Sequence, residues 1–391
     1  MKRTLFSLYG FAFFNKFLLL APVYAIFMQQ KGLTDFQLST MFIVSACGTI
    51  LGQVPITFIT NRLGQRWAMM LGQFLKIVAI LLWLVMPNYA GFATGMVLWG
   101  IQAGFRSVAF EGLLYDAVAY YKITDEFPRI LGRKSTYESV GIALSACGSL
   151  LMFMGYTWVT WASVAAILLS VICLLMVPRS CTVTATPSSV TSFRKLWRTG
   201  VRVCLRTPCL MPVMIFIVLV VNIPYLDDFL SPIGLQLGIP TEYVGILSFF
   251  LLGCATLGQR FAYKFNRLSN QVLYALAICV GILYVCFSQL YSANALWMMG
   301  LAYSIFYGVY TLIYAQFQDM IPARHRSVIL SLYTTLIYVA YMVMCGIIGL
   351  AASLGSWRYG ILIQGILEIA LGVWAWISIK NRCDLTLDID D

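Results

Sequence analysis

Apolar runs of about twenty residues recur twelve times along this 391-residue chain, each closed by a short polar stretch. Runs of that length suit a helix crossing a bilayer core, and they are too long and unbroken for the alternating ten-residue strands of a membrane barrel. The pattern predicts spans at 5–29, 37–60, 67–86, 91–119, 135–155, 158–177, 209–236, 242–263, 270–289, 294–319, 328–353 and 357–379. One long polar break interrupts the series. It opens with a Ser/Thr-rich tract, then sets Arg194, Arg198, Arg202 and Arg206 every four residues among Phe193, Leu196, Trp197, Val201 and Leu205. That spacing predicts a basic amphipathic helix suited to an anionic leaflet, or a linker whose arginines hold the next span in place. The expected organisation is a six-helix bundle over 1–177, a linker over 178–208 and a second six-helix bundle over 209–391.

The two halves repeat each other. Thr34-Asp35-Phe36 returns as Thr241-Glu242-Tyr243, Cys47-Gly48-Thr49 as Cys254-Ala255-Thr256, Leu51-Gly52-Gln53 as Leu257-Gly258-Gln259, and Asn61-Arg62-Leu63 as Asn266-Arg267-Leu268. The offset drifts only from 207 to 205. A half-length repeat in a membrane chain is how many transporters encode two bundles that rock about a shared site.

Composition agrees: 61% of residues are hydrophobic and 10% charged, which excludes a soluble globular domain. With the N-terminus inside, twenty lysines and arginines fall on the cytoplasmic side, against Lys31 and Arg358 opposite. The positive-inside rule then puts both termini in the cytoplasm of a bacterial inner-membrane protein. The net charge of +11 is used in setting topology, and nucleic acid need not be invoked. The first span, with Lys16 inside it and no small-residue cleavage site, reads as retained and not as a signal peptide. Eleven cysteines form no CxxC pair and imply no disulfide framework. With one histidine, His325 in a loop, no metal site or catalytic triad is expected, and no P-loop or other cofactor motif is present. The expected partners are a small-molecule solute, protons and the bilayer, handled by a monomer.

Polar residues inside spans are costly, so they mark partners or wet cavities. Span 1 carries Asn15 and Lys16, span 4 Arg106 and Glu111, span 7 Asn222, Asp227 and Asp228, and span 10 Gln316. Pro224 predicts a kink in span 7. Glu111, Asp227 and Asp228 are the proton-coupling candidates. Asn15, Lys16, Arg106, Asn222 and Tyr225 are the solute-binding candidates, with Arg106 and Lys16 suited to an anionic group. For Glu111 the competing expectation is a fixed ion pair with Lys16 or Arg106. Asp116 and Asp319 close spans 4 and 10. With Asn61, Arg62, Glu138 and Arg267 they are expected to form cytoplasmic latches. Lys76 is expected to snorkel and Glu368 to bond a neighbouring helix, neither in the site. Gly91, Gly95, Gly100 and Gly104 space span 4 for close packing.

Twelve spans in two parallel repeats resemble the major facilitator superfamily across the whole chain. Between spans 2 and 3, Arg62, Gly64 and Arg66 fit the family's Gly-x-x-x-Asp-Arg-x-Gly-x-Arg-Arg/Lys run, with Thr57 and Asn61 in place of its Gly and Asp. Glu111-Gly112-Leu113-Leu114-Tyr115-Asp116 looks like the Glu-Ala-Leu-Leu-Tyr-Asp run of a prokaryotic branch. The span-4 drug/proton antiport motif is unmatched, because Gly100 stands where its Arg belongs. The resemblance implies an all-α fold of two pseudo-symmetric six-helix bundles, with spans 1, 4, 7 and 10 around a central cavity. It implies a secondary transporter and no enzyme. The leading expectation is proton-coupled export of a drug- or siderophore-like amphiphile. Proton-coupled uptake of a metabolite is the rival, and a non-transporting sensor or assembly factor is a different class.

Overall fold

The computed structural model describes residues 1–123, 126–178, 193–207, 209–265, 268–322 and 325–387. Among these the secondary structure is wholly helical: α1 (Lys2–Lys16), α2 (Tyr24–Gln30), α3 (Asp35–Leu63), α4 (Gln65–Val85), α5 (Tyr89–Tyr120), α6 (Phe127–Ser145), α7 (Cys147–Leu150), α8 (Tyr156–Leu175), α9 (Phe193–Arg206), α10 (Leu210–Asn222), α11 (Leu230–Gln236), α12 (Val244–Ala262), α13 (Asn270–Leu290), α14 (Leu296–Met320), α15 (Arg326–Ala352) and α16 (Trp357–Leu387). Ten helical stretches among the described residues are long and apolar enough to cross a membrane. The other two expected spans are α5 and the pair α1–α2.

Spans 1 and 7 differ from expectation. Span 1 is not continuous: α1 stops at Lys16, two turns follow, and α2 starts only at Tyr24. Pro22 lies in the gap and supplies no N–H, and Phe17 leaves helical geometry at ψ 83°. Span 7 does more than kink at Pro224. α10 ends at Asn222, a single 3₁₀ turn covers Asp227–Phe229, and α11 resumes at Leu230. Asn15 and Asn222, 207 residues apart, therefore occupy the same place before the two breaks.

The chain divides into two compact units, one of Met1–Ser189 with Ile239–Phe249, the other of Val190–Gly238 with Phe250–Asp391. In the first, α3 packs on α5 through backbone contacts: a Cβ on Gly100 would lie 2.0 Å from the Ser45 carbonyl oxygen. Thr34 caps α3, accepting from the Gln37 amide while the Gln37 side chain accepts from Thr34 N–H. Residues 239–249 join this unit because a side-chain-free Gly245 brings its N–H within 3.0 Å of Ser149 Oγ. In the second unit α12 meets α14 with Gly258 against the Ser304 carbonyl. The basic helix α9 is not a free linker either. Gly200 packs on Val328 and Leu332 of α15, and Cys204 is buried in the unit's core. Cys209 is disulfide-bonded, where free thiols alone were expected, because sequence spacing does not show which thiols meet.

Candidate functional site

The break in span 1 is held by side chains from three neighbouring helices. Asn15, buried at its edge, accepts from Gln73 Nε2 of α4 at 3.0 Å and from Gln102 Nε2 of α5 at 3.4 Å. Lys76, three residues beyond Gln73 on the same face of α4, donates to the Asn15 carbonyl at 2.8 Å and lies over the Trp99 ring. From α8, Ser163 Oγ accepts the Leu20 N–H at 2.9 Å. The peptide groups that an unwound helix leaves open are thus met by partners, as burial demands.

Beside this knot stands a cluster of charges. Arg106 pairs with Glu138 of α6 at 3.5 Å, and Lys134, one turn earlier on α6, pairs with the same carboxylate at 3.0 Å. Lys16 is a third cation in this field, feeling Arg106, Lys134 and Glu138, and Lys76 in turn feels Lys16 and Arg106. Gly141 lets α6 approach close enough that a Cβ there would lie 3.3 Å from Lys16 Cβ. Two of these four basic groups therefore contact Glu138 directly. A crevice too tight for a water runs past Gln73, Gln102, Phe105 and Arg106.

The break in span 7 is tied from the matching helices of the other unit. From α16, Gln364 Nε2 donates to the Ile223 and Tyr225 carbonyls at 2.6 and 3.2 Å. From α13, Tyr284 OH donates to the Pro224 carbonyl at 2.6 Å. From α14, Tyr303 OH accepts the Leu226 N–H and donates to Asp227 at 2.9 Å. Tyr341 of α15 donates to Asp228 at 2.6 Å and meets Tyr225 edge-on. Asn222 gives its amide to Val218 one turn back.

The expected residues are thus distributed unevenly. Asn15, Lys16 and Arg106 come together in one unit, and Asn222, Tyr225, Asp227 and Asp228 in the other. Glu111 is exposed and paired with neither Lys16 nor Arg106: Arg106, five residues before it on α5, points about 140° away around the helix, and the acid that meets Arg106 is Glu138 of α6. Glu138, expected in a latch, is paired here with Arg106 and Lys134. Lys134, expected in a loop, is buried at 7% exposure because α6 starts at Phe127. Arg62 covers the Phe58 ring, Arg66 donates to the Leu175 carbonyl, Asp319 is exposed, and Arg326 bonds Gln318. Asp116 is half-buried, and the Asn61 side chain and Arg267 lie outside the described residues. Lys76 does not snorkel, being 4% exposed and turned to Asn15. Glu368 is 1% exposed with neither oxygen bonded, contrary to the expected cross-helix bond. Gln73, Gln102, Gln364, Tyr284 and Tyr303 were not singled out by sequence. Their signal was the pairing of polar residues one turn apart, Gln73 with Lys76 and Gln364 with Glu368.

The family model described as Major Facilitator Superfamily matches residues 5–344. The chain belongs to that superfamily. A comparison with curated proteins gives no match. Solved facilitator-type structures share the fold along nearly the whole chain. A bacterial homologue of the human lysosomal transporter Spinster, inward-facing and unoccupied, aligns with TM-score 0.71 at 14% identity, covering 98% of each chain. A D-xylose-proton symporter aligns with TM-score 0.70 at 12% identity, covering 96% of this chain and 97% of its own. The nucleoside transporter NupG gives TM-score 0.70 at 11% identity, covering 97% and 99%. This superfamily member is therefore a multi-pass membrane protein of a transporter family, with the twelve-helix fold that the repeat predicted.

Proposed function

We propose that the chain is a proton-coupled secondary transporter that exports a small amphiphilic organic solute bearing an anionic group, working by alternating access. The observation that carries this reading is the basic excess at the break in span 1, where Arg106 and Lys134 contact the carboxylate of Glu138, Lys16 lies in their field, and Lys76 lies in the field of Lys16 and Arg106. A cation within a span costs ~2.5–3.5 kcal/mol on insertion scales, so an uncompensated group of them is retained for a charge that arrives from outside. Arg106 is the natural receiver, since its fork accepts a carboxylate or phosphate in two-point fashion and its present contact is loose. Glu111, Asp227 and Asp228 carry the proton, and the protein works as a monomer in a bacterial inner membrane with both termini in the cytoplasm.

Inverted and right-side-out vesicles loaded with candidate organic anions test direction. Export by antiport requires loaded solute to leave as protons enter, whereas co-accumulation with protons would replace it with uptake. Glu111→Gln is expected to keep counterflow exchange and lose gradient-driven accumulation. Unchanged accumulation removes Glu111 from the coupling. A sensor or assembly factor would tolerate both Glu111→Gln and Arg106→Ala without loss of phenotype.

A further inference from the structure

α16 carries two buried polar groups that the proposal above does not use. Gln364 and Glu368, 0% and 1% exposed, stand four residues apart and so lie one above the other on a single helix face. Gln364 gives its amide to the open carbonyls of span 7, but its Oε1 has no partner, and neither does either carboxyl oxygen of Glu368. Three acceptors are buried together without a donor, in a setting where polar atoms are nearly always satisfied.

Neighbouring donors are already committed. Tyr284 is bonded to Pro224, Asn222 to Val218, Tyr303 to Asp227 and Tyr341 to Asp228. The helices packed on α16 are α10, α11, α13 and α15. The first three contain no charged residue, and α15 contains only Arg326, which is bonded to Gln318. The titratable groups they bring are tyrosines and cysteines: Tyr274, Cys279, Tyr284 and Cys286 on α13, and Tyr333, Tyr338, Tyr341 and Cys345 on α15. Of these, Tyr284 lies within the electrostatic reach of Glu368, and of Asp227 as well. Among the described residues, these four helices bring no cation besides Arg326 to hold a carboxylate. The neutral acid, by contrast, has an O–H to give, and Gln364 Oε1 is an acceptor one turn away that lacks one.

We infer that Glu368 is a proton-binding site of the second unit, its acid hydrogen given to Gln364 and linked through that amide to the break in span 7. Uptake forms one O–H bond on the carboxylate from a proton delivered by water, and release breaks it. With the proton in place the Gln364 amide is fixed with its nitrogen toward Ile223 and Tyr225. Without it, a bare charge faces an unpartnered carbonyl oxygen, and the pair must move apart or admit water. The link to transport rests on the proton-coupled reading, but the site itself does not.

The full-length protein in liposomes, treated with a hydrophobic carbodiimide, tests the site. That reagent attacks protonated carboxyls in apolar surroundings and leaves an N-acylurea detectable by peptide mass mapping. Labelling at Glu368 is expected, weakening as pH is raised and absent in E368Q. The infrared carbonyl band of a buried neutral acid should vanish in E368Q and shift in Q364L. Glu368 unlabelled in the folded protein but labelled after denaturation would overturn the site, as would an E368Q infrared spectrum identical to that of the parent. Neither readout needs solute or a gradient, so either can fail or succeed apart from the transport reading. For the coupling link, E368Q should keep counterflow and lose proton-driven accumulation, and full accumulation in E368Q would refute it.

Discussion

The breaks in spans 1 and 7 use the same backbone device and opposite chemistry. Both follow an asparagine, both include a proline, and both are tied by the third, fourth and sixth spans of their own unit. Yet the first break is surrounded by Lys16, Lys76, Arg106 and Lys134, and the second by Asp227, Asp228 and Glu368. The pairs of Arg106 and Lys134 with Glu138 lie in the first unit. In the second, tyrosine hydroxyls take the place of cations as partners to acids. Duplication thus preserved the irregular backbone, which constrains packing, while the polar side chains diverged in sign. A carboxylate held by a hydroxyl can accept a proton without breaking an ion pair, whereas a guanidinium stays charged throughout. In the proposed transporter this difference is used: the anion contact comes from Arg106 of the first unit, and two of the three proton carriers, Asp227 and Asp228, come from the second.

The largest expected effect is at Arg106. Arg106→Ala should lower transport of an anionic solute more than about 30-fold, the range for truncating one partner of a buried charge contact. Arg106→Lys should recover part of it. Asp227→Asn and Asp228→Asn should leave solute binding within about threefold of the parent while removing its proton dependence, because amides still accept from Tyr303 and Tyr341. Binding and transport measured on reconstituted protein decide this. Equal loss of binding from both units would erase the division of labour.

Next in size is the glycine test, which asks whether the two halves are packed alike beneath their different polar groups. A Cβ on Gly100 would fall 2.0 Å from the Ser45 carbonyl, and one on Gly258 would fall 1.9 Å from that of Ser304. Both atoms are backbone and cannot swing away. Gly100→Ala and Gly258→Ala should each destabilise by about 1–3 kcal/mol, the cost of overpacking, read as similar thermal shifts in detergent. A large shift in one and none in the other would show that the helix pairs are not equivalent.

Much of this was legible before the fold. Hydrophobic length placed most spans to within a few residues, because backbone satisfaction in lipid leaves so few alternatives, although the helix of span 5 starts eight residues early at Phe127. The matched motifs at Gly52 and Gly258 announced the duplication. The break in span 1 was not legible: Phe17–Val23 is as apolar as a helix, and it lies, Pro22 included, inside the single span expected over 5–29. Its stability comes from Gln73, Lys76, Gln102 and Ser163, which are distant in sequence. The pairing of Glu138 with Arg106 was not legible for the same reason, since the two are on different helices. Lys76 and Glu368 were set aside as peripheral, although each sits one helical turn from a glutamine. That pairing was the available clue to an inward polar face.

The smallest effect isolates single hydrogen bonds at the two breaks. Ser163→Ala removes the acceptor of the Leu20 N–H, and Tyr284→Phe removes the donor to the Pro224 carbonyl. Both leave a buried backbone group without that partner, at about 1–3 kcal/mol for the unsatisfied group. They should not cost the same. An N–H has one hydrogen to place and is rarely orphaned in native structures, whereas a carbonyl left with an empty lone pair is tolerated more often. Tyr284→Phe also keeps the ring and its packing, so no cavity forms. Ser163→Ala should therefore lower the midpoint of detergent unfolding more than Tyr284→Phe, with transport retained in both. The reverse order would mean that the second break depends on its hydroxyl tie more than the first does on its serine, and that the two are held open by different means.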